Sequence, residues 1–204
     1  TCSFLASATS ESIETTLALA EEVADGVRNA PIVMCGCVPS RYGADLPDEL
    51  PEVAAFVRTD EEDGIVAVMD EVLGVERSTL PFIPSVKRTV ESAVAYVKIS
   101  DGCDRFCSFC AIPYIRGRYH SRPAERILAE VSDLVAGGVR EIVLIGQDTG
   151  IWGTDFDDTV EGPRNLAQLM RAVAEAVRPE HVWVRVLYLQ PEGMSDELIA
   201  TLRD

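Results

Sequence analysis

The sequence predicts an α/β protein in two parts, a small amino-terminal α/β domain and part of a series of parallel β/α units. Three observations predict it. Short apolar strands alternate with amphipathic helices along most of the chain. Residues 75–92 lack periodicity and are rich in Pro, Lys and Arg, which is typical of a linker between residues 1–74 and 93–204; a surface loop of one continuous domain is the alternative. A content of 47% hydrophobic and 25% charged residues is that of a globular protein.

The amino-terminal part follows the order helix, strand, strand, helix, which is typical of an α/β layer that lacks its first strand. Apolar residues at three- and four-residue spacing predict its first helix, and Thr59 with Glu62 has the spacing of a capping box for its last. The predicted elements are a helix over 9–29, a strand over 32–34, a polar loop over 39–51, a strand over 55–57 and a helix from Thr59 to Leu73.

The second part alternates strands with helices of 10 to 15 residues, which predicts parallel β/α units in a barrel or an open wound sheet. Three units are visible, so a barrel would be incomplete. The predicted strands cover 94–100, 140–146 and 182–189; the helices cover 123–136, 166–177 and 195 onward; loops over 101–122 and 147–163 follow the first two strands.

Composition restricts the function classes. The net charge of −16 disfavours general binding to nucleic acid or to an anionic membrane surface. No run approaches the roughly 18 apolar residues of a membrane span, and the start lacks the layout of a secretory signal, so we expect a cytoplasmic protein. The chain starts without Met and stops inside a predicted helix, which suggests a piece of a longer protein.

The cysteines give the strongest chemical signal. There are six, too few for a disulfide scaffold, and three of them lie on one loop directly after the first strand of the second part, with the spacing C-x3-C-x2-C. Ligands of parallel α/β folds gather at the carboxyl ends of strands. Cys103, Cys107 and Cys110 suit a four-iron cluster with one open coordination position. A zinc site completed by His120, a disulfide with a free thiol, and unliganded loop cysteines are the alternatives.

The cysteine loop resembles that of the radical S-adenosylmethionine enzymes, in which an aromatic residue, here Phe109, precedes the third cysteine. The resemblance implies that Cys103, Cys107 and Cys110 hold a 4Fe-4S cluster. Its open iron would be chelated by the amino and carboxylate groups of S-adenosylmethionine, which is cleaved reductively to a 5′-deoxyadenosyl radical. Phe109 would lie near the adenine.

The resemblance extends to the methylthiotransferases within that family. Residues 111–118 and 121–123 are similar to their radical domain, and Thr1-Cys2 and Gly36-Cys37 resemble the second and third ligand motifs of their amino-terminal domain. This implies a second, auxiliary 4Fe-4S cluster with Cys2 and Cys37 as two of its ligands; the first ligand motif has no counterpart here. Cys35 has no family role and is interpreted as a buried neutral thiol.

Two further segments resemble the branch that modifies a ribosomal protein: Gly146-Gln147-Asp148-Thr149 with Trp152-Gly153, and residues 186–191. Gly146 departs from the alanine that is common there. The implied reaction adds a methylthio group to the β-carbon of an aspartate of small-subunit ribosomal protein S-twelve. A radical is needed because that carbon carries no acidic proton.

The same resemblance implies that Gln147 and Asp148 contact the cofactor and that the electron donor is of the flavodoxin or ferredoxin type. Two other functions stay open at this point. One is the same chemistry on a tRNA adenosine, and the other is a non-catalytic iron-sulfur or zinc-binding module.

Overall fold

The computed structural model describes residues 1–75 and 92–203. Within them, residues 1–75 and 105–117 form one compact unit, and residues 92–104 and 118–203 form another. The predicted linker, 75–92, lies almost wholly outside the described residues. The domain boundaries drawn from the sequence therefore stay a prediction, although the clustering places residues 105–117, which carry Cys107 and Cys110, with the amino-terminal residues.

The first unit is built on a parallel two-stranded sheet of β1 (Ile32–Gly36) and β2 (Val53–Arg58), paired from Ile32 with Val53 to Gly36 with Arg58. Met34, Val38, Leu46, Leu50 and Val53 form its buried core. Its helices are α1 (Ala6–Ala24), α2 (Cys37–Tyr42), α3 (Leu46–Glu49), α4 (Ile65–Leu73) and, from the cysteine loop, α5 (Ile112–Arg116).

Three expectations for this unit are corrected. The first helix ends at Ala24, short of Pro31, because the chain turns at Gly26 with a φ of +71° and the Asp25 N–H closes on Glu21. The predicted loop over 39–51 is wrong, since α2 and α3 lie there; Pro39 and Pro47 each fall in a first helical turn, where a missing N–H costs little. The capping box at Thr59 is also wrong, because α4 begins only at Ile65.

The second unit contains a parallel three-stranded sheet in the order β3-β6-β7. Helices α6, α7 and α8 follow these strands, and the α/β class predicted from the sequence is confirmed. A short antiparallel pair, β4 with β5, lies within the predicted loop over 101–122. The strands are β3 (Val94–Lys98), β4 (Ser100–Asp101), β5 (His120–Ser121), β6 (Glu141–Ile145) and β7 (Trp183–Val186); the helices are α6 (Ala124–Ala136), α7 (Leu166–Val177) and α8 (Asp196–Arg203).

The core of the second unit lies between this sheet and its helices. Ile127 and Val131 of α6 pack with Ile142 and Leu144 of β6, and α7 adds Leu169, Met170 and Val173. Trp152 is fully buried, and its indole N–H donates to the Arg122 carbonyl at 3.1 Å. No helix within residues 1–75 and 92–203 combines the length and apolar character needed to cross a membrane.

Candidate functional site

The carboxyl ends of β3, β6 and β7 meet at one edge of the sheet because the strands are parallel. Ser100 follows β3, and Gln147, Asp148 and Thr149 follow β6. Thr149 binds the chain after β7: its hydroxyl donates to the Leu187 carbonyl at 2.6 Å and its N–H to the Tyr188 carbonyl at 3.2 Å. The segments expected to hold a cofactor are therefore joined at this edge.

Polar side chains are buried at the same edge. Ser100 is fully buried, Asp148 and Tyr119 are nearly so, and the oxygens Ser100 Oγ, Tyr119 Oη and Gln147 Oε1 have no hydrogen-bond partner among the described residues. The Tyr119 hydroxyl lies near those of Ser100 and Ser121, and burial raises the pKa of Tyr119 above its usual value. The Gln147 amide oxygen can only accept and therefore fits a ligand that donates a hydrogen bond, such as an ammonium or a sugar hydroxyl, whereas the Ser100 and Tyr119 hydroxyls can donate or accept.

The stem of the cysteine loop is held by side-chain bonds to the backbone. The Asp101 carboxylate accepts from Lys98 Nζ at 2.6 Å and from the Gly102 N–H at 3.0 Å. The Asp104 carboxylate accepts from the Tyr119 N–H at 3.1 Å, while Ser100 and Ser121 face each other across β4 and β5. Cys103, between the two carboxylates, is buried. The backbone on both sides of Cys103 is thereby fixed.

Cys107 and Cys110 belong to the first unit. Cys107 is exposed, Cys110 is half-buried, and the Cys110 N–H donates to the Cys107 carbonyl at 3.0 Å in a tight turn. Phe109, predicted to lie near an adenine, is 90% exposed. An aromatic ring with this exposure is available for a stacking partner.

The second pair of predicted ligand positions is brought together at the carboxyl end of β1. The Thr1 amino group and hydroxyl both donate to the Cys35 carbonyl, at 2.7 and 2.8 Å, and the Cys37 N–H donates to the Thr1 carbonyl at 3.1 Å. Gly36 has a φ of +108°, and a Cβ there would lie 2.9 Å from the Thr1 oxygen. Only glycine allows this approach, which sets the Cys2 segment beside the Cys37 segment.

Cys35 is half-buried, with its Sγ 3.9 Å from Glu62 Oε1. Burial raises the pKa of this thiol, and the Glu62 carboxylate raises it further, so the neutral form is favoured. The sequence predicts a buried neutral thiol; the burial is corrected to half-buried, and the neutral form stays a prediction.

A cavity of about 440 Å³ opens on the first unit between α2 and the cysteine loop. Arg41 and Tyr42 of α2 line one side, and Ser108, Phe109, Cys110 and Tyr114 line the other. The arrangement places one guanidinium and three aromatic rings around a cysteine. The sequence analysis did not identify Arg41, Ser100 or Tyr119 as candidate site residues. Arg41 could have been found from its position, since it lies one helical turn after Cys37, a predicted ligand.

Residues 1–75 and 92–203 contain no group of three Cys, His, Asp or Glu side chains already gathered for a metal ion. The ligand assignments of Cys2, Cys37, Cys103, Cys107 and Cys110 therefore stay predictions, as do the cofactor contacts of Phe109, Gln147 and Asp148. The donor chemistry fits the implied groups, since thiolates bind iron-sulfur clusters and the buried oxygens accept hydrogen bonds.

Comparison with known proteins adds an independent result. The profile of the Radical SAM superfamily matches residues 97–204. Three relatives are each described as "Ribosomal protein uS12 methylthiotransferase RimO". They come from Geobacter sulfurreducens (39% identical, 100% of this chain and 46% of the relative), Lachnoclostridium phytofermentans (37%, 100% and 46%) and Desulfosudis oleivorans (37%, 100% and 47%). The chain spans about half the length of the curated relatives it matches.

Proposed function

The chain belongs to the radical S-adenosylmethionine superfamily, and from that premise we propose that it carries the two cluster-binding regions of a methylthiotransferase acting on ribosomal protein uS12. The proposed product is a methylthio group on the β-carbon of an aspartate of uS12. The proposed setting is the cytoplasm, with an electron donor of the flavodoxin or ferredoxin type.

One observation carries the proposal. The superfamily profile covers only residues 97–204, but the similarity to the uS12 methylthiotransferases extends over the whole chain at 37 to 39% identity. It therefore includes the Cys2 and Cys37 segments as well as the cysteine loop. The superfamily profile by itself does not reach those first 75 residues.

Membership of the superfamily implies one 4Fe-4S cluster and S-adenosylmethionine, which together supply a carbon-centred radical that removes hydrogen from an unactivated carbon. We assign the cluster to Cys103, Cys107 and Cys110. Asp101 and Asp104 would hold the backbone around Cys103 through their bonds to Gly102 and Tyr119. Ser100, Gln147 and Asp148 would accept hydrogen bonds from the donor groups of the bound cofactor, and Phe109 would pack on its adenine.

We assign the auxiliary 4Fe-4S cluster, the proposed source of sulfur, to Cys2 and Cys37 with a ligand from elsewhere. The bonds from Thr1 to the Cys35 and Cys37 backbone would keep the two ligand segments together before any cluster binds. This preorganisation reduces the entropy lost on binding. Cys35, with a raised thiol pKa, is left out of the assignment.

The first test is the iron and acid-labile sulfide content of the anaerobically reconstituted protein. We expect about four irons to disappear in the triple variant Cys103→Ala, Cys107→Ala, Cys110→Ala, and the remaining iron to disappear when Cys2 and Cys37 are also changed. The single variant Cys35→Ala is the matched control and should keep its iron. Stoichiometric zinc without sulfide would instead identify a structural metal module.

The second test is the reaction itself. The reconstituted protein is given a reductant, S-adenosylmethionine and either purified uS12 or tRNA. We expect mass spectrometry to find a methylthio group in place of one hydrogen on an aspartate of uS12 and none on tRNA. Modification of a tRNA adenosine with no change in uS12 would move the protein to the other branch of methylthiotransferases.

A further inference from the structure

The cavity of the first unit contains a cationic side chain with no assigned role. Arg41 lies on α2, one turn after Cys37, and lines the same cavity as Cys110. Among the described residues, no acidic side chain lines this cavity and no carboxylate pairs with Arg41. The chain has 34 acidic and 18 basic residues, so acidic partners for an arginine are plentiful. A role in a surface salt bridge therefore does not account for Arg41.

The geometry holds the guanidinium in place and leaves it able to bind. Arg41 Nη1 donates to the Ser3 carbonyl at 2.6 Å, and the guanidinium carbon lies 5.3 Å from the centroid of the Tyr42 ring. These two contacts restrict the movement of a side chain that is otherwise exposed. Since a guanidinium has five N–H donors and one is used, the remaining donors can take a carboxylate in a bidentate pair.

Resting on the proposed function, we propose that Arg41 binds the side-chain carboxylate of the target aspartate and so determines the enzyme's preference for a protein substrate over a nucleoside. The reacting β-carbon is bonded directly to that carboxyl carbon. Holding the carboxylate beside Cys110 therefore positions the carbon from which hydrogen is removed. Tyr42 and Tyr114 give the same cavity aromatic walls for the neighbouring peptide.

The carboxylate of S-adenosylmethionine is the other ligand with this chemistry. That carboxylate already has a proposed binding partner, since by the resemblance it would be held at the cluster together with the amino group. The substrate carboxylate has no such partner in the cavity. We therefore assign Arg41 to the substrate, and the experiment below separates the two carboxylates.

The test compares two peptides from the target loop of uS12, one with the target aspartate and one with asparagine there, for equilibrium binding to the reconstituted protein. Asparagine keeps the shape and removes the charge. Because a charge-assisted hydrogen bond is stronger than a neutral one, we expect the protein to bind the aspartate peptide at least about tenfold more tightly than the asparagine peptide. In Arg41→Gln the ratio of the two affinities should fall to near one, while the affinity for S-adenosylmethionine is unchanged.

Two variants control the experiment. Arg28→Gln removes an equal charge from a surface pair with Glu22 and should keep the wild-type ratio. Iron content is measured on every variant, because Arg41 also bonds the Ser3 carbonyl beside Cys2. If Arg41→Gln loses iron, the ratio of the two affinities is measured on Arg41→Lys instead. We expect a ratio between one and the wild-type value, because lysine keeps the positive charge but lacks the planar guanidinium that binds a carboxylate in a bidentate pair.

Several outcomes overturn the inference. They are equal binding of both peptides by the wild type, no binding of either, an unchanged ratio in the Arg41 variants, and weakened binding of S-adenosylmethionine with the ratio intact. The proposed function still stands after equal binding of both peptides, an unchanged ratio or weakened cofactor binding, provided that uS12 is still modified. Failure of the proposed function is seen separately, as the absence of that modification.

Discussion

At the scale of single residues, contacts around Gly146 account for a glycine at a position where the resemblance implies that alanine is common. A Cβ at position 146 would collide with Ser100 Oγ, while its other neighbours, Thr149 Cγ2 at 3.4 Å and the Ser100 carbonyl at 3.5 Å, allow ordinary contact. The identity of residue 100 therefore decides whether alanine fits at 146. Glycine at 146 thus compensates for serine at 100, and the two residues lie at the ends of neighbouring strands.

We expect Gly146→Ala to lower the free energy of unfolding by about 1 to 3 kcal/mol, the usual cost of overpacking a buried site. Ser100→Ala removes the colliding oxygen and should restore most of that loss in the double variant. Urea denaturation of the two single variants and the double variant measures the coupling. Gly64→Ala, where a Cβ meets nothing within 4 Å, is the matched control. Additive losses in the double variant would contradict the compensation.

Tyr119 gives a second prediction at this scale. Burial keeps its hydroxyl protonated in the folded protein at a pH where the unfolded chain ionises, so its contribution to stability is complete below about pH 10 and is lost as the pH rises further. Denaturation between pH 8 and 11 should show a steeper loss of stability in the wild type than in Tyr119→Phe. Tyr96→Phe, which makes the same chemical change at a half-exposed tyrosine, is the matched control.

At the scale of elements, the part of the cysteine loop that belongs to the first unit is hydrogen-bonded to the rest of that unit through the Thr59 hydroxyl, which in turn contacts Ser40 of α2. Ser40 Oγ lies 3.0 Å from Thr59 Oγ1 and accepts from the Thr59 N–H at 2.8 Å, and the Thr59 hydroxyl lies 3.4 Å from the Ile115 carbonyl of α5. These bonds join α2, the end of β2 and α5. Since α2 begins at Cys37 and α5 begins two residues after Cys110, these bonds hold the segments of two proposed ligands near each other.

We expect Thr59→Val to raise amide hydrogen exchange in α5 about fivefold or more, because the loss of one hydrogen bond of typical strength, about 1 kcal/mol, raises local opening by that factor. Exchange mass spectrometry of the peptide that contains residues 112–116 measures it. Thr15→Val, on an exposed position of α1, makes the same chemical change and should leave α5 unaffected. Unchanged exchange in Thr59→Val would show that packing alone holds α5.

For the whole molecule, charge is the property that most restricts partners. A net charge of −16 opposes the approach of another polyanion, and screening at physiological salt weakens this opposition without reversing it. We expect the binding of unmodified tRNA at about 0.15 M salt to be at the weak, non-specific level, while a basic ribosomal protein binds more tightly as salt is lowered. Fluorescence anisotropy at two salt concentrations tests both. Tight tRNA binding with a steep salt dependence would contradict the proposed substrate.

The sequence by itself determined the α/β class, both bounds of α7 and the spacing C-x3-C-x2-C, whereas the predicted loop over 101–122 contains α5 and parts of the β4–β5 pair. The class, the helix bounds and the spacing depend on local periodicity and spacing, which are written along the chain. The prediction of a loop over residues 39–51 was wrong, because prolines, which indicate a loop in the sequence, are also tolerated in the first turn of a helix. Thr59 was also placed in a capping box, although that side chain bonds to Ser40 and Ile115.

Only the tertiary structure decided which distant residues share a surface. The contact of Thr1 with the Cys35 and Cys37 backbone, the burial of Ser100 with Tyr119, and the cavity shared by Arg41 and Cys110 each join positions at least 19 residues apart. The physical reason is that these contacts arise from strand pairing and helix packing, which bring the carboxyl ends of parallel strands and their loops together. Residue types predict the chemistry a chain can perform, but the arrangement of the strands decides which side chains perform it together.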